Sequence, residues 1–179
     1  MTATPLLDAV RETFAYHKRL ADGAIAQVAD DRLRQPLDEH TNSIAVVMRH
    51  VAGNLRSRWT DVLTTDGEKP WRDRDGEFVD TYPDRAAIVA DWESGWACLF
   101  ESLGRLTDGD LGRTVVIRGE AMPLAVAATR SLGHTCYHVG QIVILARHHA
   151  GPTWTTLTVP RGGSARYNQT HWGDARPAS

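Results

Sequence analysis

Two cysteines, Cys98 and Cys136, are all that occur among 179 residues. They build no disulfide framework, so the fold must rest on an apolar core. Free thiols also suit a reducing compartment, and a cytoplasmic location is expected. No stretch approaches the ~20 consecutive apolar residues that a membrane-spanning helix needs. The N-terminus, Met1-Thr-Ala-Thr-Pro5, lacks the basic and apolar regions of a secretion signal. Neither sign of charge dominates: 20 Lys and Arg against 22 Asp and Glu leave a net charge of −2. That balance offers no electrostatic footprint for nucleic-acid phosphates or an anionic membrane surface. Absent too are HExxH, CxxC, GxSxG and a glycine-rich phosphate loop. Gly162-Gly163 in Pro160-Arg-Gly-Gly-Ser164 shows no helical pattern after it and reads as a turn. Internal repeats and low-complexity runs are missing as well.

What is present is ordinary globular material, 42% hydrophobic and 23% charged, enough for a single domain over residues 1–179. Apolar spacing predicts four helices. The first runs from about Leu6 to Ala29, with the stripe Leu6, Val10, Phe14, His17, Ala21, Ala24 and Val28. The second runs from about Ser43 to Leu63, capped by Asn42 or Thr41 and closed by Asp66-Gly67. A polar loop from Glu68 to Pro83 follows. The third runs from the cap Asp84 to about Leu106 and carries Ile88, Trp92, Trp96, Leu99 and Leu103. Within Gly109–Glu120, Thr114-Val-Val-Ile117 suggests a short strand or hairpin. The fourth opens near Pro123 and stops at Ala150-Gly151-Pro152. The expectation is an all-α four-helix bundle with long connections and an extended tail after about residue 152, packed on the bundle.

The chemistry lies in the histidines. His134-Thr-Cys-Tyr-His138 sets two imidazoles four residues apart, which on a helix brings their Cβ atoms to roughly 5–6 Å on one face. They fall on the inner stripe Ala127, Ser131, His134, His138, Ile142 and Leu145. Two neighbouring buried rings each need a partner, and one divalent ion serves both. His50, in Val46-Val-Met-Arg-His50-Val-Ala-Gly-Asn54, is central to another apolar run and supplies a third ligand from a second helix. Three imidazoles leave positions open for solvent or substrate. Asn54 and Gln141 are the candidates to hold the ligand rings through their other N–H. His17 is read as a core or ring-orienting residue, and His171 as a fourth ligand only if the tail folds back. His40, His148 and His149 are read as surface residues. Cys136 points away from the histidine face.

Taken together, several segments resemble the DinB/YfiT metalloenzyme superfamily, within it a subfamily of uncharacterised function. They are Asn42-Ser-Ile-Ala-Val-Val-Met-Arg-His50-Val-Ala-Gly-Asn54, Arg56-Ser-Arg-Trp59-Thr-Asp61, Thr65-Asp-Gly-Glu-Lys-Pro70 and Arg72-Asp-Arg-Asp-Gly-Glu-Phe78. Arg118-Gly-Glu120, His134-Thr-Cys-Tyr-His138-Val-Gly-Gln141-Ile142 and Val159-Pro-Arg-Gly162 complete the set. The resemblance implies a bundle with non-sequential helix order and a zinc or nickel ion on His50, His134 and His138. It also implies a homodimer, and an activity such as group transfer to a low-molecular-weight thiol.

The expected function is that of a metal-dependent enzyme acting on a small molecule, a low-molecular-weight-thiol S-transferase or a small hydrolase. The alternative is a non-enzymatic, metal-stabilised stress or binding protein. Arg58 and Arg72, with Arg56 and Arg74, are candidates to hold a substrate carboxylate; otherwise they form a charged face paired with Asp61, Asp73 and Asp75. The expected cleft is walled by the Glu68–Pro83 loop and the tail near Arg161. The tryptophan surplus, Trp92 and Trp96 included, points to a dimer interface.

Overall fold

The computed structural model describes residues 5–172, and its first helix, α1 (Pro5–Ile25), buries the expected stripe with one change. Leu7 rather than Leu6 is buried, together with Val10, Phe14, Ala21 and Ala24. Leu7 and Phe14 are seven residues apart, almost two full turns, so they share a face that Leu6 misses. The helix ends four residues early. The chain turns and forms a short helix, α2 (Asp30–Leu33), that buries Leu33.

The next helix, α3 (Ile44–Trp59), starts at Ser43, whose hydroxyl accepts from the Val46 N–H. The expected caps are not used. Thr41 is occupied one turn earlier, accepting the Leu37 and Asp38 N–H groups. The helix also stops before Leu63, because Asp61 adopts a left-handed conformation (φ 48°) and turns the chain back. Of its 16 residues 13 are buried, leaving only Arg49, Arg56 and Arg58 uncovered. It is therefore the central helix rather than an amphipathic outer one. The next, α4 (Arg85–Arg105), opens at Asp84 as expected, with the carboxylate accepting from Ala87 N–H. Trp92 and Trp96 do not form an outer surface: they are 2% and 0% exposed. Trp96 packs edge-on to Phe14, and Trp92 donates its indole N–H to Asp22. Trp59, Trp92 and Trp96 thus fill the core of one chain, while Trp71 is exposed.

The last long helix, α5 (Leu124–Ala150), matches its expected bounds. Its main partners are α1 and α3, while α3 also packs along α4. The second and last long helices are thus neighbours, and the order around the bundle is not the order along the chain. After α5 the chain crosses α1, where Gln27 exchanges hydrogen bonds with Thr155. The tail is not wholly extended: Ser164–Trp172 forms α6, directly after Gly162-Gly163. That helix has almost no apolar stripe, which is why its sequence does not announce it. The expected loose end beyond residue 172 lies outside the described residues. No described helix is long and apolar enough to cross a membrane.

Before α5 the chain makes a hairpin of β1 (Thr114–Ile117) and β2 (Glu120–Pro123). Arg118 and Gly119 form its two-residue turn with φ of 58° and 75°, the geometry that matches the twist of paired strands. Arginine adopts a left-handed conformation reluctantly, at a cost of about 1–2 kcal/mol. The Asp66 carboxylate holds it there by accepting both the Arg118 and Gly119 N–H groups at 2.8 Å. Gly67 N–H adds a bond to the Val116 carbonyl. The loop after α3 is thereby stitched to the hairpin.

The N–H groups of Glu68 and Gly119 hold the Asp66 carboxyl below its usual range, with help from that of Arg118. A depressed carboxyl stabilises the fold above its ordinary pKa and loses that contribution as pH falls through the folded value. Asp66→Ala is expected to lower unfolding free energy by about 1–2 kcal/mol at neutral pH. In urea titrations the gap between variant and parent should narrow below about pH 4. An equal gap at both ends of that range would mean the charge of Asp66 does not matter.

Candidate metal centre

His134 and His138 stand one turn apart on α5, and His50 comes from the middle of α3, which packs against α5. The Nε2 atoms of His50 and His134 are 3.2 Å apart, and so are those of His134 and His138. One nitrogen from each of the three rings lies within 4.8 Å of the others. A tetrahedral ion binding imidazole nitrogens at ~2.05 Å separates them by about 3.3 Å. Two of the three spacings are already close to that value.

The far sides of the rings decide which nitrogens are free. His50 Nδ1 lies 2.9 Å from Glu77 Oε2. Glu77 in turn receives two bonds from the Arg72 guanidinium, 2.7 Å from Nε and 2.8 Å from Nη2. A carboxylate only accepts, so His50 carries its proton on Nδ1 and turns a bare Nε2 inward. His138 Nδ1 lies 2.7 Å from Gln141 Oε1, and the Gln141 amide N–H donates to the Tyr137 hydroxyl. That leaves His138 Nε2 bare as well. His134 Nδ1 is buried and has no partner among the described residues. His134 can offer one proton to one of two facing lone pairs, so the cluster cannot satisfy itself by hydrogen bonding. A cation at the meeting point satisfies all three nitrogens.

Electrostatics agree. Burial, then the neighbouring His138 and His50, press the His134 pKa down to about 3. Burial also lowers that of His138, against the pull of Gln141. Both rings are neutral at physiological pH, as a metal ligand must be. For Glu77 burial pushes the carboxyl up, but Arg72 and His50 outweigh it and keep the group ionised. Room for this carboxylate exists only because residue 53 is glycine: a Cβ there would sit 2.2 Å from Glu77 Oε1.

The model of the family described as "Protein of unknown function (DUF1572)" matches residues 1–163. The chain belongs to the DUF1572 family. Among solved structures it is similar to a DinB-like protein from Bacillus cereus ATCC 10987, at 16% identity and a TM-score of 0.55. The match covers 79% of this chain and 91% of that one. This DUF1572 chain thus shares its four-helix-bundle fold with a DinB-like protein. No curated protein matches it.

The structure of this DUF1572 protein joins some of the expected site residues and separates others. His50, His134, His138 and Gln141 meet as expected. Asn54 bonds to none of the histidines and instead lines the adjacent cavity. Arg72 is buried and spends its fork on Glu77, so it does not face substrate. Arg58 reaches the cavity but donates to the Gly67 carbonyl and to Glu68. Arg56 pairs with Asp91 at 2.7 Å. The arginines' partners are therefore Glu68, Glu77 and Asp91, not Asp61, Asp73 and Asp75. His17 bonds to the Thr13 carbonyl, and His171 stacks on Tyr167 in α6. Neither belongs to the cluster. Glu77 was not foreseen. It sits in a single helical turn, Gly76–Phe78, whose sequence carries no periodic signal.

Beside the histidines lies an open cavity of about 510 Å³. Phe78, stacked on the His50 ring at 5.0 Å, and Arg74 form the wall contributed by the Glu68–Pro83 loop. The opposite wall is the β1–β2 hairpin, not the tail near Arg161, because Asp66 pulls that hairpin across the end of the bundle.

Removing one of three ligands should lower affinity for a divalent ion at least about tenfold, so His50→Ala and His138→Ala are each expected to do so in calorimetric titration. Glu77→Gln, which keeps the shape but weakens the hold on His50, should cost about 10–100-fold. Full metal retention by both alanine variants after dialysis against a mild chelator would rule out the three-histidine centre.

Proposed function

We propose that this protein is a metal-dependent enzyme in which His50, His134 and His138 hold one zinc or nickel ion facing a substrate cavity. The reaction we favour is transfer of a group to or from a low-molecular-weight thiol, with hydrolysis of a small molecule as the runner-up. The observation that carries the reading is the cavity of about 510 Å³ lined by two of the three histidines, His50 and His134. A purely structural site is normally closed by four protein ligands. Here three imidazoles converge, and no fourth His, Cys, Asp or Glu joins them among the described residues.

When bound, a divalent ion supplies Lewis acidity and lowers the pKa of a coordinated thiol or water. The chain's own residues do the rest. Glu77 and Gln141 fix the proton on the far nitrogen of His50 and His138, so the near nitrogens stay available. Phe78 stacks on the His50 ring and gives the cavity an apolar wall beside it. Glu120 is the carboxylate among the cavity residues, exposed and 3.6 Å from Arg130, where it can take a proton from an incoming nucleophile. The two free thiols favour a cytoplasmic setting.

A homodimer is part of the proposal, on a new surface. Val126, Tyr137 and Ile144 are exposed on α5, spaced by eleven and seven residues, close to whole turns of one face. Light scattering should give twice the 19.8 kDa chain mass, and Ile144→Glu should halve it. A parent protein that is monomeric at micromolar concentration would remove the dimer.

Cobalt substitution tests the open position. The visible spectrum is expected to change on adding a small thiol or azide, as an exchangeable ligand is replaced. A spectrum indifferent to saturating amounts of both would make the centre structural, and the protein a metal-stabilised stress or binding protein.

A further inference from the structure

The cavity beside the histidines has an unusual charge for this chain. Every element that builds it contributes one guanidinium: Arg58 from α3, Arg74 from the loop before α4, Arg118 from the hairpin turn and Arg130 from α5. Two carboxylates oppose them. Glu68 is shared, with Arg118 at 2.9 Å and Arg58 at 3.3 Å, and Glu120 lies 3.6 Å from Arg130. Arg74 makes no ion pair among the described residues. Four arginines and one carboxylate, Glu120, line the cavity, and Glu68 pairs with two of those arginines from outside the lining, so positive charge is in excess in a protein whose net charge is −2.

Gathering like charges is unfavourable unless something of opposite charge resolves it. Arg58 has its pKa pushed down mainly by burial, then by Arg72 outside the cavity, with Arg118 adding a smaller push in the same direction. The arrangement is also built rather than incidental. The turn that presents Arg118 is a left-handed backbone held by Asp66, and Glu68 ties the Arg118 and Arg58 side chains to each other. Guanidinium groups are planar forks that match the two oxygens of a carboxylate or phosphate. The volume suits a small molecule. Phe78, Ile117 and Ala127 give the same cavity an apolar side.

We propose that this cavity binds a small-molecule substrate carrying a dianionic group, a dicarboxylate or a phosphate monoester, which Arg74, Arg118 and Arg130 hold while Arg58 closes the cradle. This rests on the reading of the cavity as the substrate site of the metal centre. The excess of positive charge favours a ligand with more than one negative charge. The position of the arginines beside His50 and His134 sets its orientation, with the charged end on the cradle and the remainder reaching toward the histidines.

The test uses chelator-treated, metal-free full-length protein, so that anions cannot bind an ion instead. Calorimetric titrations compare succinate, glycerol 1-phosphate and, as a monoanion, acetate. At least one dianion is expected to bind ten or more times tighter than acetate, and the tighter of the two names the group. Arg74→Gln and Arg130→Gln, substitutions at partly free side chains that should not disturb folding, are each expected to weaken that dianion fivefold or more. Arg105→Gln, on the exposed end of α4, should leave it unchanged. His138→Ala should lose the metal yet keep the anion, so a failed metal centre and a failed cradle give different results. Dianions no tighter than acetate, or equal affinity in the Arg74, Arg130 and Arg105 variants, would overturn the proposal.

Discussion

The Glu77 carboxylate is the constraint on which the centre depends. It is 5% exposed and carries a charge, a position that is costly unless every oxygen is occupied. Arg72 occupies both oxygens and His50 shares one of them. That single group therefore fixes three things. It pins the loop after α3 against the bundle, it orients the His50 ring, and it assigns the His50 proton to the outward nitrogen. The inward-facing lone pair of His50 thus follows from a carboxylate on the far side of the ring, as that of His138 follows from Gln141. The absence of a side chain at residue 53 is part of the same device, since a Cβ would occupy the place of the carboxylate.

A second carboxylate does for the cavity what Glu77 does for the histidines. Asp66 draws the hairpin turn onto the loop, and Glu68 next to it ties Arg118 to Arg58. The division of labour is physical. The packed helices α3 and α5 carry the three imidazoles, and also Arg58 and Arg130. The loop before α4 and the hairpin turn add Arg74 and Arg118, the latter held by the Glu68 ion pair and the Asp66 backbone hydrogen bonds.

Much of this was legible in the residues alone, and the limits are instructive. Four long helices, the Asp84 cap, the end of α5 at Ala150-Gly151 and the hairpin all follow from local signals. Periodicity, capping and chain-reversing residues act over a few residues and survive in any context. The pairing of His134 with His138 is of the same kind, because the helix repeat alone puts them on one face. Errors came where two local signals competed or where none existed. Ser43 rather than Thr41 caps α3, because Thr41 is used by the turn before it. Helix α6 is polar and shows no stripe. Trp92 and Trp96 lie in the core rather than at an interface, a choice that aromatic content leaves open because it says nothing about which side of the surface a ring falls on.

By itself, then, the sequence determined the four long helices and the hairpin, their bounds to within a few residues, and one face of the histidine centre, but not α2 or α6. Which helices became neighbours, that His50 meets the α5 pair, and that Arg72 turns inward while Arg74, Arg118 and Arg130 ring a cavity were decided only by the tertiary structure. The reason lies in range. Helix propensity and capping are settled between residues three or four apart. The pairing of Glu77 with His50 spans 27 residues and that of His50 with His134 spans 84. Such contacts depend on loop paths and buried charges, for which no spacing rule exists.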